Sequence, residues 1–343
     1  MIAQWTDVPF DFAQGTRYTE RLMRALAVAI AATVSISAQV SQPPSKYAPP
    51  KTAWGDPDLQ GTFTDKDENG IPMEKPNQFA GKTLAEVDDS ELADIVRERQ
   101  QRAAASAAGI GGTDTGAGPV HWYEHYDAKN SRAWLVLDPP EGRIPEQVPA
   151  VQQRNASRAV ARGARGPADS YEDRSLYDRC ITRGIVGSML PVIYGNSFQF
   201  VQGPGQVAIR YEMIHETRII PLTPRPHVSS KLHTFMGDPR GHFEGNTLVV
   251  ETTNFTDRTA LGVNGGGVRH SEKLTLVERF TPLSPTKMEW RVHVEDPDTW
   301  VKPWTFGLTL TKDASQPVFE YACHEGNYAI RNILSAARAE ERK

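Results

Sequence analysis

The sequence has few of the motifs that identify common enzyme classes. Only two of its 343 residues are cysteine, and it contains no Cys-x-x-Cys pair, no Walker motif and no G-x-S-x-G motif. The usual sequence support for dithiol redox, nucleotide-hydrolysing and serine-hydrolase functions is therefore missing. The net charge of −4 at pH 7 argues against nucleic acid as a partner, because nucleic-acid binding needs a basic surface.

The chain also lacks an apolar run of 18 or more residues, which a typical transmembrane helix needs. A shorter apolar run at residues 25–36 follows Arg24 and ends at Ser37 and Ala38, a pattern typical of a signal peptide. We expect residues 1–22 to be a non-native leader before Met23 and residues 23–38 to be the signal peptide. The rest would be periplasmic or extracellular, without membrane contact after cleavage.

Residues 39–170 do not show one regular pattern. We expect an extended arm, a helix over residues 83–108 where apolar residues recur at helical spacing, and mobile loops. The arginines of residues 150–168 lie among alanine and glycine, which favours a solvated loop. Residues 331–343 are predicted to form a C-terminal helical tail.

Residues 171–330 are dominated by strand signals. After short strands at 61–64 and 133–137, strands are predicted at 198–202, 206–215, 218–222, 241–243, 247–255, 273–280, 287–294, 304–311 and 318–323. Such closely spaced strands must pair antiparallel, because a parallel crossover needs about a dozen residues. We therefore expect an all-β fold, an antiparallel up-and-down barrel of calycin type, since closure removes free sheet edges. A β-sandwich is the alternative.

The two cysteines, Cys180 and Cys323, flank this β-rich region. Because export permits disulfides, we expect them to pair. The alternative is two independently buried thiols.

Four sequence strings resemble those of a large family of secreted β-rich proteins from soil bacteria. They are residues 138–145 (DPPEGRIP), 178–180 (DRC), 237–255 (GDPRGHFEGNTLVVETTNF) and 322–328 (ACHEGNY). The resemblance covers nearly all of residues 52–338. It implies secretion and a β-rich fold, and it brings no catalytic residue or substrate with it.

Residues 121–125 (HWYEH) match the inverted zinc-protease motif H-x-x-E-H. That motif binds zinc only on a helix, where positions four apart share one face. Glycine and proline precede it and a strand follows closely, so a polar aromatic loop is the preferred interpretation. We expect no metal and no organic cofactor.

A denser polar group surrounds the turn before residue 247. It could form a ligand or metal site, or it could be structural, with Asp238 and Arg240 pairing to fix the turn. Its members are His227, His233, Asp238, Arg240, His242 and Glu244.

A third candidate follows the last predicted strand. If Cys323 is bonded to Cys180, the next two residues, His324 and Glu325, are held in place, as a preorganised acid/base pair requires. A solvated turn is the alternative, and a nucleophilic cysteine is a further one.

Two predicted strands carry charges on one face only, by the two-residue period of β structure. That face either meets solvent or lines a ligand cavity if the barrel is wide. The aromatic residues nearby pack in the core or stack on a ligand. The ligand-binding candidates are Arg210, Glu212, His242, His293, Glu295, Trp300 and Trp304.

Together these features predict an exported β-barrel that encloses a small organic ligand, sugar-like or aromatic. It could be an acid/base enzyme of the lyase, isomerase or hydrolase type, with Glu325 or His324 as base, Arg240 holding an anionic group and Asp238 orienting it. The alternative is a non-catalytic binding protein of the same fold.

Overall fold

The computed structural model describes residues 47–98, 131–192, 194–315 and 318–343. The predicted leader, the predicted signal peptide and the H-x-x-E-H motif lie outside the described residues.

Ten strands form one antiparallel sheet that curls into a nearly closed barrel, which confirms the predicted fold class. Nine of them follow one another in the order β5-β4-β3-β1-β10-β9-β8-β7-β6, and β2 pairs with β10 from the side. The strands are β1 (Gly61–Thr64), β2 (Val136–Asp138), β3 (Ser197–Gly203), β4 (Gln206–Tyr211), β5 (Thr217–Pro221), β6 (Asp238–Glu244), β7 (Thr247–Thr253), β8 (Thr275–Ser284), β9 (Lys287–Glu295) and β10 (Trp304–Lys312).

The barrel closes where the two end strands of this order, β5 and β6, approach each other. Gly241 makes the approach possible, because a Cβ atom there would lie 2.7 Å from Cγ2 of Ile220 and 2.9 Å from Cδ2 of Leu222. A β-carbon does not fit at these distances, so this glycine allows the two edges to come together.

Alternation along the strands fills the barrel with apolar side chains. On β9, for example, Trp290 and Val292 are fully buried, whereas Arg291 and His293 between them point to the other face. Rings from neighbouring strands pack edge to face, as Trp290 does with Phe306 at 5.5 Å between centroids. The apolar faces of the strands form one continuous core.

A short helix closes one end of the barrel. Strands β1, β4, β7 and β9 finish at this end, and the chain between β7 and β8 covers it. Helix α3 (Gly184–Met189) is buried along its whole length, and a Cβ atom at Gly187 would lie only 2.4 Å from the backbone nitrogen of Gly265 in that covering loop. We call this the plugged end.

Three other described helices flank the barrel: α1 over residues 89–98, α2 (Ala150–Arg162) and α4 (Ala329–Glu340). Helix α4 overlaps the predicted C-terminal helical tail, residues 331–343, and begins two residues before it. The helix predicted from residue 83 begins with a separate 3-10 turn, Leu84–Glu86, and its part beyond residue 98 lies outside the described residues.

The loop predicted at residues 150–168 is instead mostly the helix α2. Its arginines recur at a spacing of four and reach neighbouring segments, because Arg154 donates to the carbonyl oxygen of Asp298 at 3.0 Å and Arg158 to the carboxylate of Asp257 at 2.7 Å. Residues four apart share one helix face. These arginines therefore bind the helix to the loops at the barrel end.

The strand predicted at residues 318–323 is absent from this described segment. The segment is fixed by side chains instead of a backbone ladder, since Cys323 is bonded to Cys180 and the ring of Tyr321 packs on that of Tyr194 at 6.3 Å. The predicted disulfide is confirmed, with 5.8 Å between the two Cα atoms. No described helix has the length and apolar character needed to cross a membrane.

Candidate functional site

The plugged end contains a buried arginine whose hydrogen bonds are incomplete. Arg183 immediately precedes helix α3 and is 1 % exposed, yet its Nε and Nη2 atoms have no hydrogen-bond acceptor. Burial lowers the pKa of Arg183, but an arginine stays protonated at neutral pH. A buried cation with unsatisfied donors is costly, so it calls for an explanation.

Three tyrosines adjoin this guanidinium. The Arg183 guanidinium lies 5.5 Å from the ring centroid of Tyr177, and Tyr194 is hydrogen-bonded to both Tyr177 and Tyr321. Burial raises the pKa of Tyr177 and of Tyr321 above the usual tyrosine value. The phenols therefore remain protonated at neutral pH and can donate hydrogen bonds.

A carboxylate also acts on this cluster. Asp65, at the end of β1, is 1 % exposed and interacts electrostatically with Arg183. Its carboxylate does not accept a hydrogen bond from Nε or Nη2 of Arg183, since both atoms lack acceptors. We call Arg183, Tyr177, Tyr194, Tyr321 and Asp65 the arginine–tyrosine site.

The disulfide explains how distant parts of the chain reach this site. Tyr177 lies three residues before Cys180, and Tyr321 two residues before Cys323, so the bond between the cysteines brings both phenols to Arg183. Sγ of Cys180 also lies 3.3 Å from the side-chain nitrogen of Asn327, which donates to the carbonyl oxygen of Cys323 at 3.0 Å.

The predicted pair after Cys323 lies elsewhere. His324 and Glu325 are exposed in a turn, and among the described residues no hydrogen bond or ion pair joins either side chain to Asp238 or Arg240. The structure thus does not bring these four candidate catalytic residues together through direct contacts.

Asp238 and Arg240 do pair, as the structural alternative required. Nη1 of Arg240 lies 2.6 Å from Oδ1 of Asp238, and Nη2 donates to the carbonyl oxygen of Pro226 at 2.9 Å. Desolvation alone would raise the pKa of Asp238, but hydrogen bonds from Val228, Arg240 and His227 outweigh it and lower the pKa. All three nitrogens of Arg240 donate within the chain, so this network fixes the segment before β6.

The three histidines of that group each pair with a carboxylate, and His233 lies 3.2 Å from a carboxylate oxygen of Glu272. His227 bridges Asp238 and Glu251, and His242 lies exposed on β6, 3.2 Å from a carboxylate oxygen of Glu244. In the part of the chain that the structure describes, no group of three or more His, Cys, Asp or Glu side chains is arranged to hold a metal ion.

The predicted ligand-lining stripe lies on the outer face of the barrel. Arg210 and His293 alternate with core residues, and both are half-buried. Glu212 follows β4 as a half-buried residue, and Glu295 is exposed.

The two tryptophans predicted at the mouth are in the core. Trp300 and Trp304 are 3 % and 1 % exposed, and their ring centroids lie 5.6 Å apart. This is the core-packing alternative, since buried ring faces that pack on each other are not open to a stacking ligand.

No family model, curated protein or solved structure matches this chain. The geometry of the site and the fold must therefore carry the functional argument.

The sequence did hold one signal for Arg183. Residues 181–190 (ITRGIVGSML) are apolar or small except for this arginine, and a lone charge in such a run is buried with a partner or placed for a function. The tyrosines gave no comparable signal, because only the folded chain brings them together.

A cavity of about 220 Å³ lies at the opposite end of the barrel. It is lined by Phe63, Met288 and the prolines of the β8–β9 hairpin. Its two lysines are already engaged, since Lys287 donates to Thr311 at 2.6 Å and Lys312 to the carbonyl oxygen of Gln60 at 2.8 Å. Among the described residues that line this cavity, no buried polar side-chain atom lacks a hydrogen-bond partner, in contrast to Nε and Nη2 of Arg183.

Proposed function

We propose that the protein is exported and binds a small organic ligand, sugar-like or aromatic, at the plugged end of its barrel. The observation that carries this proposal is Arg183, a buried cation with two N–H donors that lack acceptors, beside three tyrosines that share hydrogen bonds. Ligand sites combine flat apolar walls with a few convergent polar groups. The barrel interior is packed with buried side chains, most of them apolar, which favours a site at the end over one at the centre.

A ligand screen tests this function. Thermal unfolding of the wild-type protein is measured with a broad library of sugars and aromatic compounds, beside Arg183→Met and Arg240→Ala. We expect some compounds to raise the melting temperature of the wild type and of Arg240→Ala but not of Arg183→Met. Loss of the shift in Arg240→Ala alone would place the ligand at the Asp238–Arg240 network instead.

Export is tested on the full chain. The disulfide between Cys180 and Cys323 supports an oxidising compartment, where such bonds persist. After expression in a bacterial host, we expect the protein in the periplasmic or secreted fraction, with a new N-terminus near Gln39. An uncleaved chain in the cytoplasm would contradict export.

Catalysis by Glu325 or His324 stays a prediction. Both side chains are exposed, so a reaction would need the ligand to extend from Arg183 across the disulfide turn. Each ligand found in the screen is incubated separately with the wild-type protein and with Glu325→Gln. The reaction products are then analysed. Turnover that disappears in Glu325→Gln would make the protein an enzyme, and absence of turnover would leave the binding function.

A further inference from the structure

The available donors of Arg183 share one edge of its guanidinium. In arginine, the Nε–H bond and one Nη2–H bond run parallel, and this edge matches the two oxygens of a carboxylate. Both atoms are buried and have no acceptor. A single carbonyl oxygen would satisfy this edge less well than a pair of coplanar oxygens.

The local charge restricts the ligand further. Asp65 already places one negative charge close enough to Arg183 to act on it electrostatically, and the five residues of the site include no second cation. A monoanion therefore adds one buried negative charge to a balanced pair, whereas a dianion such as a phosphate monoester adds two. A monoanion with two coplanar oxygens fits the donor geometry at the smaller electrostatic cost.

From these observations we propose that the plugged end recognises a small organic monocarboxylate through the Nε–Nη2 edge of Arg183. The tyrosines supply the wall and further hydrogen-bond donors. The inference rests on the proposed binding function and names the chemical group that this site selects.

The site is closed in this structure, since Arg183 is 1 % exposed, and a glycine-rich loop packs against the backbone of Arg183. This loop, residues 262–267, contains four glycines, and a Cβ atom at Gly265 would lie 2.8 Å from the carbonyl oxygen of Arg183. Asn264 and Gly265 both have positive φ angles. Because the loop belongs to no strand of the sheet, it can move away for ligand entry while the barrel stays intact.

Matched ligand pairs test the proposal. Binding of benzoate and of glucuronate is measured by calorimetry and thermal shift against their neutral counterparts, benzamide and glucose, and against inorganic phosphate. We expect at least one carboxylate to bind and its neutral counterpart to bind about tenfold more weakly or not at all. Equal binding of a carboxylate and its neutral counterpart would overturn the carboxylate assignment and leave the binding function intact.

The variants test the donor edge. Arg183→Lys keeps the positive charge but lacks the parallel donors, and we expect it to weaken carboxylate binding about tenfold or more. Arg179→Lys is the matched control, because the Arg179 guanidinium lies over Tyr171 at 5.0 Å, outside the site. This variant should bind the carboxylate as the wild type does. Unchanged affinity in Arg183→Lys would overturn the proposal.

A second variant covers the case in which Arg183→Lys fails to fold, which circular dichroism would show. Tyr321→Phe removes one phenol hydroxyl, and we expect it to weaken carboxylate binding about two- to tenfold; unchanged affinity there would overturn the site. Preference for inorganic phosphate would overturn the monoanion assignment. If no compound in these pairs or in the broad library binds, both the carboxylate assignment and the binding function fail.

Discussion

Arg218 and Glu278 form an ion pair across the barrel interior, from β5 to β8. Nη2 of Arg218 lies 3.1 Å from Oε1 of Glu278, and a second contact joins Nη1 to Oε2. The side chains are 2 % and 0 % exposed, and Trp290 donates its indole N–H to the same carboxylate at 3.0 Å. The pair joins β5 and β8, which are not neighbours in the sheet.

The first prediction concerns this pair. Arg218→Met should lower the free energy of unfolding by about 3–5 kcal/mol, because it leaves the carboxylate of Glu278 buried without its cation. The double variant Arg218→Met/Glu278→Gln should recover part of the loss, since it removes the charge and keeps an acceptor for Trp290. Urea unfolding of the oxidised protein measures both. A loss below about 1 kcal/mol in the single variant would show that the carboxylate is not desolvated.

The second prediction concerns the disulfide. Cys180 and Cys323 are 143 residues apart, and the chain-entropy model assigns about 5 kcal/mol to a loop of this length. We expect the double variant Cys180→Ser/Cys323→Ser to lose about 2–5 kcal/mol and to expose residues 318–343 to proteases.

Reduced wild-type protein is the control, and it should match the double variant in both its urea midpoint and its cleavage pattern. An unchanged midpoint would mean that packing of Tyr321 and α4 alone holds the tail in place. Carboxylate binding should also weaken in the double variant, because the disulfide positions Tyr177 and Tyr321.

The barrel could be predicted from the sequence because its signals are local. Strand β1 matches its predicted bounds, and the hairpin turns around Gly203 and Gly245 separate strands where they were expected. Alternation also identified the core face of β9, since Met288, Trp290 and Val292 are all buried. Strands that follow one another along the chain can pair antiparallel through a short turn, so local sequence patterns suffice to predict them.

The site could not be predicted in the same way, because its groups come from three segments, at residue 65, residues 177–194 and residue 321. Tyr321 and Asp65 reach Arg183 only through the disulfide and the closure of the sheet. The polar residues that cluster in the sequence, such as Asp238 and Arg240, use one another as partners. Local density of charge therefore marked a structural network.

The third prediction concerns barrel closure at Gly241. Gly241→Ala should destabilise the protein by about 1–3 kcal/mol, because the new methyl group meets Ile220 and Leu222 at less than van der Waals distance. Gly203→Ala is the control, since a Cβ atom there would lie 3.6 Å from the flexible side chain of Gln206, at ordinary van der Waals distance. Urea midpoints compare the two. Equal stability of both variants would show that β5 and β6 do not meet at Gly241.

The fourth prediction concerns pH and a buried histidine. His270 is 1 % exposed, and burial lowers its pKa below the usual value of histidine. In the neutral ring, Nδ1 donates to the carbonyl oxygen of Ser271 at 2.9 Å and Nε2 accepts from the hydroxyl of Thr259 at 2.7 Å. Protonation of Nε2 would remove that acceptor.

The sign of the effect follows from linkage. At a pH below about 6.5, the unfolded chain protonates His270 while the folded protein does not, so the unfolded state binds more protons and stability falls with falling pH. The contribution is complete above the unfolded pKa and is lost as the pH falls towards the folded pKa. One group can add a slope of at most about 1.4 kcal/mol per pH unit.

Urea unfolding at pH 5, 6, 7 and 8 for wild type and His270→Gln isolates the pH-dependent stability that His270 contributes. The variant cannot protonate, so its stability should fall less steeply than that of wild type between pH 7 and pH 5, even if it is less stable at pH 8 because a ring contact with Phe255 is lost. His242→Gln is the matched control, since His242 is exposed and its removal should leave the steep acid slope in place. Parallel pH profiles for wild type and His270→Gln would mean that other groups, such as the half-buried His293, whose pKa burial also lowers, produce the acid sensitivity.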